Sequence, residues 1–215
     1  HIHFTGGDIF LWPDLNKLLY IIKDLPIKIS CNLNSETINR AQVQFLKEEI
    51  QDIEVSCTLN GFQESHDFLR GKGSFMRAIR GINEIQFQQI PFSLFFVVNT
   101  MNIQDIVKYT KDVVEAFHSL KSIACICLSD PVPNDEIKQL FLDEDGFLEL
   151  CKQVNFLYSV GIPVFIHGKF YELYNLVINE MLKSDFNTIN VAKYSEIFIH
   201  ADLSISRQHA IKTSQ

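Results

Sequence analysis

The chain has 215 residues, 47% of them hydrophobic and 21% charged, with a formal net charge of −7. This length suits one α/β domain, or one domain with a small appendage, and the apolar fraction excludes a disordered chain. The acidic balance and the lack of a Lys/Arg stripe argue against a nucleic-acid or anionic-membrane surface, and runs such as Phe92–Val98 and Ile123–Leu128 are far too short to span a bilayer.

His1-Ile2-His3-Phe4-Thr5 reads as a buried strand. Gly6-Gly7-Asp8 turns it, and a helix begins near Trp12-Pro13-Asp14 with Leu15, Leu18, Leu19 and Ile22 on one face. Further strands are expected at 27–33, 53–59, 92–98, 122–128 and 162–166. They are rich in Ile, Val, Phe and Cys with little polar alternation, as parallel strands covered on both faces would be. Helices are expected between them: Thr37–Ile50, a helix capped by Ser74, another capped by Asn102, and Gly146–Val160 ended by Gly161. Between strand three and the Ser74 helix lies a charged loop with His66, Asp67 and Arg70. Near the C-terminus Ile189–Val191 and Glu196–Ser206 read as strands, forming a half-exposed antiparallel ribbon or an edge strand, and 207–215 as a frayed tail.

The alternation predicts an α/β fold with a parallel sheet, open or curled into a barrel. In either case ligands sit beyond the C-terminal ends of the strands. That rule selects Thr5–Asp8, Asn32–Ser35, Thr58–Gly61, Asn99–Asn102 and Ser129–Asn134 as the functional rim. The Gly-Gly-acid loop brings bare backbone and one carboxylate to a ligand. It suits an ammonium or a ribose hydroxyl better than a phosphate, which the carboxylate repels. The same three residues would also serve a tight turn needing positive φ. Arg70 offers a bidentate fork to a ligand carboxylate, or pairs on the surface with Asp67.

Cysteines stand at 31, 57, 125, 127 and 151, four of them inside apolar strand-like segments. They read as small buried hydrophobes in a reducing, cytoplasmic compartment. Cys125 and Cys127 share one face of a strand. No C-x-x-C spacing exists, so a metal or cluster site is not indicated.

Phe4-Thr5-Gly6-Gly7-Asp8-Ile9-Phe10-Leu11-Trp12-Pro13-Asp14-Leu15 and, about fifty residues on, Thr58-Leu59-Asn60-Gly61 through His66-Asp67 and Arg70-Gly71-Lys72-Gly73-Ser74-Phe75 carry a resemblance. Together with Asn32-Leu33-Asn34-Ser35 and Phe96-Val97-Val98-Asn99-Thr100-Met101-Asn102, they resemble, in order, the strand-end motifs of the radical S-adenosylmethionine superfamily. The likeness is to its SPASM-type peptide- and protein-modifying branch and covers roughly residues 1–135. It implies a partial (β/α) barrel of parallel strands beginning at the family's second strand, over 1–187. A short C-terminal β ribbon and tail would follow over 188–215. The cofactors implied are S-adenosylmethionine and a [4Fe-4S] cluster, which together cleave S-adenosylmethionine reductively and abstract a substrate hydrogen, the substrate being a peptide in this branch. The cofactor-binding residues implied are Thr5, Gly6, Gly7, Asp8, Asn32, Asn34, Thr58, Asn60, Arg70 and Asn99. The Gly-Gly-acid loop would hold the methionine ammonium.

The chain departs from that pattern. The family's C-x-x-x-C-x-x-C loop, expected to precede His1, is not among these residues. The family's Glu, Ser and Asp are Asp8, Thr58 and Asn60, and the SPASM cysteines are missing. The expectation is a truncated portion of a radical S-adenosylmethionine enzyme, inactive by itself. The alternative is a cluster-free relative acting as a peptide-binding or scaffold subunit. With the preceding strand absent, the first strand is expected to be an exposed edge through which the chain self-associates.

Overall fold

The computed structural model describes residues 1–6, 8–128, 134–171, 173–175 and 177, and the backbone of two strands near the C-terminus. Gly7, residues 129–133 and the expected strand at 189–191 lie outside the described residues. The chain forms two compact units, 1–180 and 181–215.

The first unit is built on six parallel strands, β1 (Ile2–Phe4), β2 (Ile29–Leu33), β3 (Ile53–Thr58), β4 (Phe92–Val98), β5 (Leu120–Cys127) and β6 (Val164–Ile166). They lie in the sheet in chain order, and among the described residues β1 and β6 form its two edges. The sheet is therefore an unclosed, partial (β/α) barrel. Its helices are α1 (Leu15–Ile22), α2 (Arg40–Glu49), α3 (Gln63–Arg70), α4 (Ser74–Phe87), α5 (Ile106–Ala116), α6 (Asp135–Lys138) and α7 (Glu144–Ser159).

When strands follow in order and every crossover is right-handed, all helices fall on one side of the sheet. Burial records this. Along β3, Ile53, Val55 and Cys57 are buried while Glu54, Ser56 and Thr58 are half-buried; β4 alternates in the same way. The strands are thus not covered equally on both faces, as their composition suggested. The helix side holds the core, whose largest members are Tyr109, Phe92 and Phe96. Phe96 and Tyr109 lie 4.6 Å apart between ring centroids, and Phe92 meets Phe117 edge-on at 5.8 Å. The opposite face carries Ser30, Asn32, Ser56 and Thr58 on β2 and β3; on β4 and β5 it carries Ser93 and Ser122 at the start of the strands and Phe95, Val97 and Ile126 farther along, with Phe165 on β6.

Several helix starts differ from the sequence reading. Pro13 lies in the turn before α1, whose N-cap is Asp14. The charged loop after β3 is the helix α3, whose last turn ends at Gly71, φ +96°. Gly73, left-handed at φ +80°, is the N-cap of α4, and Ser74 is its first residue. The free amides there are satisfied from α3: the Asp67 carboxylate accepts from Gly73 N and Phe75 N at 2.8 Å each, and from Ser74 Oγ at 3.0 Å. Those backbone bonds hold the Asp67 carboxyl below its usual range. Asp67 thus serves a neighbouring helix terminus and is not the surface partner of Arg70.

In the second unit, Ser195–Ile199 (β7) pairs antiparallel with Ile205–His209 (β8), Ile197 opposite Arg207. A ribbon is present, as expected, but it runs on to His209 where the sequence reads as frayed.

Candidate functional site at the strand ends

Parallel strands point their C-terminal ends the same way, so the loops after Phe4, Leu33, Thr58 and Val98 share one rim. At the β1–β2 corner, Asn32 Nδ2 donates to Thr5 Oγ1 at 2.8 Å. The other end of that amide, Oδ1, is buried and has no hydrogen-bond partner. An unsatisfied buried acceptor is destabilising in itself, and this one lies at the strand-end rim. Asp8 caps the short turn Ile9–Leu11: its Oδ1 accepts from Phe10 N at 3.0 Å, and its Oδ2 from Thr37 Oγ1 at 2.9 Å. Asn34 forms the next turn, its Oδ1 accepting from Glu36 N at 3.2 Å and its carbonyl from Thr37 N and Oγ1. Thr5, Asp8, Asn32, Asn34 and Thr37 are therefore parts of two hydrogen-bonded loops facing one rim. Gly6 adopts φ +115° with open space where a Cβ would stand, so backbone freedom and not room requires glycine there. Gly7 lies outside the described residues.

At the end of β3, Thr58 keeps its place on the half-buried face, while Asn60 turns inward and is 3% exposed. The main-chain N–H and C=O groups of Leu59 and Asn60 are all engaged. Leu59 N donates to Phe95 O at 3.0 Å, and Leu59 O accepts from the buried Tyr109 hydroxyl at 2.8 Å. Asn60 N donates to His66 Nδ1 at 2.9 Å, and Ser65 Oγ donates to Asn60 O. Asn60 Oδ1 accepts from Val97 N at 3.1 Å, prolonging the β3–β4 contact past the ladder. Asn99 does similar work after β4. It is fully buried; its Oδ1 accepts from Met101 N at 2.8 Å, and its own N–H donates to Asn102 Oδ1 at 2.9 Å. Asn102 thus braces this turn with its side chain instead of capping a helix. Asn60 and Asn99 hold the rim's backbone; Thr5, Asp8, Asn32 and Thr58 face its open side.

Arg70 reaches Glu36 at 3.4 Å, and Arg77 of α4 reaches the other Glu36 oxygen at 3.2 Å. This fastens the β2–α2 loop to α3 and α4. Ser65, His66, Tyr109, Glu36 and Thr37 were not singled out as rim supports by the sequence. Glu36, Thr37 and Tyr109 act through partners distant in the chain and leave no local signal, whereas Ser65 and His66 act on the nearby Asn60.

An unclosed, singly wound parallel sheet with acceptors gathered on its rim defines the partial (β/α)-barrel class. A profile of the Radical SAM superfamily matches residues 1–113, and the chain belongs to that superfamily. It is 32% identical over 106 residues to Fe-coproporphyrin III synthase of Methanosarcina barkeri, covering 49% of this chain and 26% of that protein. It is 30% identical over 115 residues to the antilisterial bacteriocin subtilosin biosynthesis protein AlbA of Bacillus subtilis, covering 50% of this chain and 25% of that one. The matches thus span about a quarter of those relatives' lengths. Among solved structures, Streptococcus suis SuiB superposes with a TM-score of 0.65 at 17% identity over 86% of this chain and 43% of SuiB. The structure of anSMEcpe with bound AdoMet and Kp18Cys peptide superposes with a TM-score of 0.60 at 20% identity, over 77% of this chain and 49% of that one. These likenesses confirm the partial-barrel fold.

Membership implies S-adenosylmethionine and an iron–sulfur cluster as the superfamily's cofactors. The rim fits the first: its acceptors suit an ammonium. The cysteines do not fit the second. All five are buried. Burial pushes the Cys31 and Cys151 thiols up to about 12 and raises Cys57 and Cys125 as well, whereas a cluster needs accessible thiolates. Among the described residues no group of His, Cys, Asp and Glu could hold a metal ion, and no helix is long and apolar enough to cross a membrane.

Proposed function

We propose that the β1–β2 rim holds the methionine end of S-adenosylmethionine, and that this chain is the cofactor-cradling part of a radical SAM enzyme acting on a peptide. The carrying observation is the partnerless Asn32 Oδ1, beside the Thr5 hydroxyl and on the same rim as the Asp8 carboxylate. An ammonium is three donors with a positive charge, and this corner offers acceptors with a negative one. Gly6 leaves the backbone open to the same group. Thr58 faces the ribose from β3, and Arg70 exchanges Glu36 for the ligand carboxylate. Asn34, Asn60 and Asn99 hold the loops that carry these contacts. S-adenosylmethionine held there would supply the chemistry for removing a substrate hydrogen. The chain's own part is orientation and exclusion of water, for which Phe95, Val97, Ile126 and Phe165 line the apolar half of the open face. The cluster's thiolates come from outside the five cysteines here. Support for a peptide substrate comes from the relatives: a subtilosin biosynthesis protein, SuiB bound to precursor peptide SuiA, and anSMEcpe with a bound peptide.

The test is calorimetry of S-adenosylmethionine with the wild-type chain and with Asn32→Leu, which removes the acceptor at similar volume. The expected loss is about tenfold in affinity, the effect of one hydrogen bond to a charged group. Unchanged affinity would take Asn32 out of the site.

We also propose that the 215-residue chain self-associates through β1. β1 stands at one edge of the six-stranded sheet, and Leu11, Tyr20 and Ile21 nearby in the chain are largely exposed. Sedimentation velocity should show dimers or larger species increasing with concentration. A single monomeric boundary at all concentrations would refute this.

A further inference from the structure

His66 is a fully buried polar residue whose role the cofactor reading leaves open. Its Nδ1 accepts from the Asn60 amide at 2.9 Å, so that nitrogen carries no proton and a neutral ring carries its proton on Nε2. Nε2 is buried with no hydrogen-bond partner. The ring packs edge-on against Phe75 at 5.9 Å. A buried donor left unsatisfied is a lasting destabilisation, tolerated only where the ring does something else. What it does is close the Thr58–Gly61 turn. Asn60 sits where the chain leaves β3 for a left-handed Gly61, φ +82°. Its amide has His66 as its acceptor, one helical turn away in α3.

We infer that His66 is a positioning residue for the S-adenosylmethionine site: as a neutral acceptor it locks the Asn60 amide and so sets the strand-end turn from which Thr58 faces the ligand. This rests on the cofactor reading above for its ligand, and on the turn's hydrogen bonds for its geometry. The charged groups around the ring oppose one another. Arg70 on its own helix and Arg77 on α4 disfavour a second proton; Asp67 on α3 and Glu36 on the β2–α2 loop favour it. Burial outweighs all four and brings the ring down to about 4. Because the folded value lies below the unfolded one, the stability of the neutral ring is complete above the ordinary histidine pKa of 6.5 and is lost as pH falls toward about 4. Protonation through Nδ1 removes the acceptor and releases the Asn60 amide.

The experiment compares wild type, His66→Phe and His66→Asn. Phenylalanine keeps the ring's bulk without an acceptor; asparagine puts an amide oxygen near the Nδ1 position. Amide hydrogen exchange at Asn60, nitrogen shifts of the His66 ring and calorimetry with S-adenosylmethionine are read on each chain. In wild type the ring should keep an unprotonated Nδ1 from neutral pH to about 5. In His66→Phe, exchange at Asn60 should accelerate and S-adenosylmethionine affinity fall, each by about tenfold or more. His66→Asn should recover most of both. Equal loss in the two variants, or unchanged Asn60 exchange in His66→Phe, would overturn the clamp. If wild type fails to bind S-adenosylmethionine, the cofactor reading fails with the positioning role, and exchange at Asn60 still decides whether the ring locks the turn.

Discussion

Gly81→Ala should destabilise the first unit by about 3 kcal/mol, the upper part of the usual range for forcing atoms into a packed core. For a unit of this size that is a fall of about 6–12 °C in melting temperature. Helix propensity alone predicts the opposite, since alanine in place of glycine inside a helix gains about 1 kcal/mol. Contact geometry decides between them. A Cβ on Gly81 would stand 2.0 Å from the Ser35 carbonyl oxygen and 2.8 Å from Ile38 Cγ2. The first obstacle is backbone, which cannot rotate aside, so α4 or the β2–α2 loop must retreat. That loop carries Asn34, Glu36 and Thr37, and Thr37 holds Asp8. The variant should therefore also bind S-adenosylmethionine more weakly. A melting temperature equal to or above wild type would show that the approach of α4 to Ser35 is not close.

Asp8→Ala should weaken S-adenosylmethionine binding by about tenfold to a hundredfold, the effect of a hydrogen bond to a charged group. Two contributions act together. The carboxylate attracts the ammonium, and it also shapes its own loop through Phe10 N and Thr37 Oγ1. Asp8→Asn separates them, because its amide oxygen can still accept from Phe10 N while the charge is gone. If attraction dominates, asparagine should lose nearly as much as alanine, and the salt dependence of binding seen in wild type should flatten. If loop shape dominates, asparagine should stay near wild type. Equal affinity in all three chains would exclude Asp8 from the site.

The two variants probe different kinds of information. The Asp8 loop is local: a strand, two glycines and an acid are contiguous in the chain, and their meaning survives without a partner in view. The six strands are local in the same sense, since each is a short run of Ile, Val, Phe and Cys set off by turn residues. Gly81 is different. It looks like a flaw in an amphipathic helix until Ser35, far away in the chain, is seen pressed against it. Asp67 likewise looks like a surface partner for Arg70 until the bare amides of Gly73 and Phe75 are found beside it. Asn60 and Asn99 look like ligand contacts because asparagine after a strand is open to either use. Only their burial shows that they brace the turns.

What the sequence determined by itself was the parallel α/β alternation, the rim at the strand ends and the acid loop on it. These depend on periodicity and on neighbours along the chain. What the tertiary structure decided was which face of the sheet stays open and which side chains brace the turns of the rim. Those properties come from a right-handed winding that puts every helix on one side, and from contacts between residues tens of positions apart. Burial and hydrogen-bond satisfaction, which no local pattern encodes, then settle each residue's part.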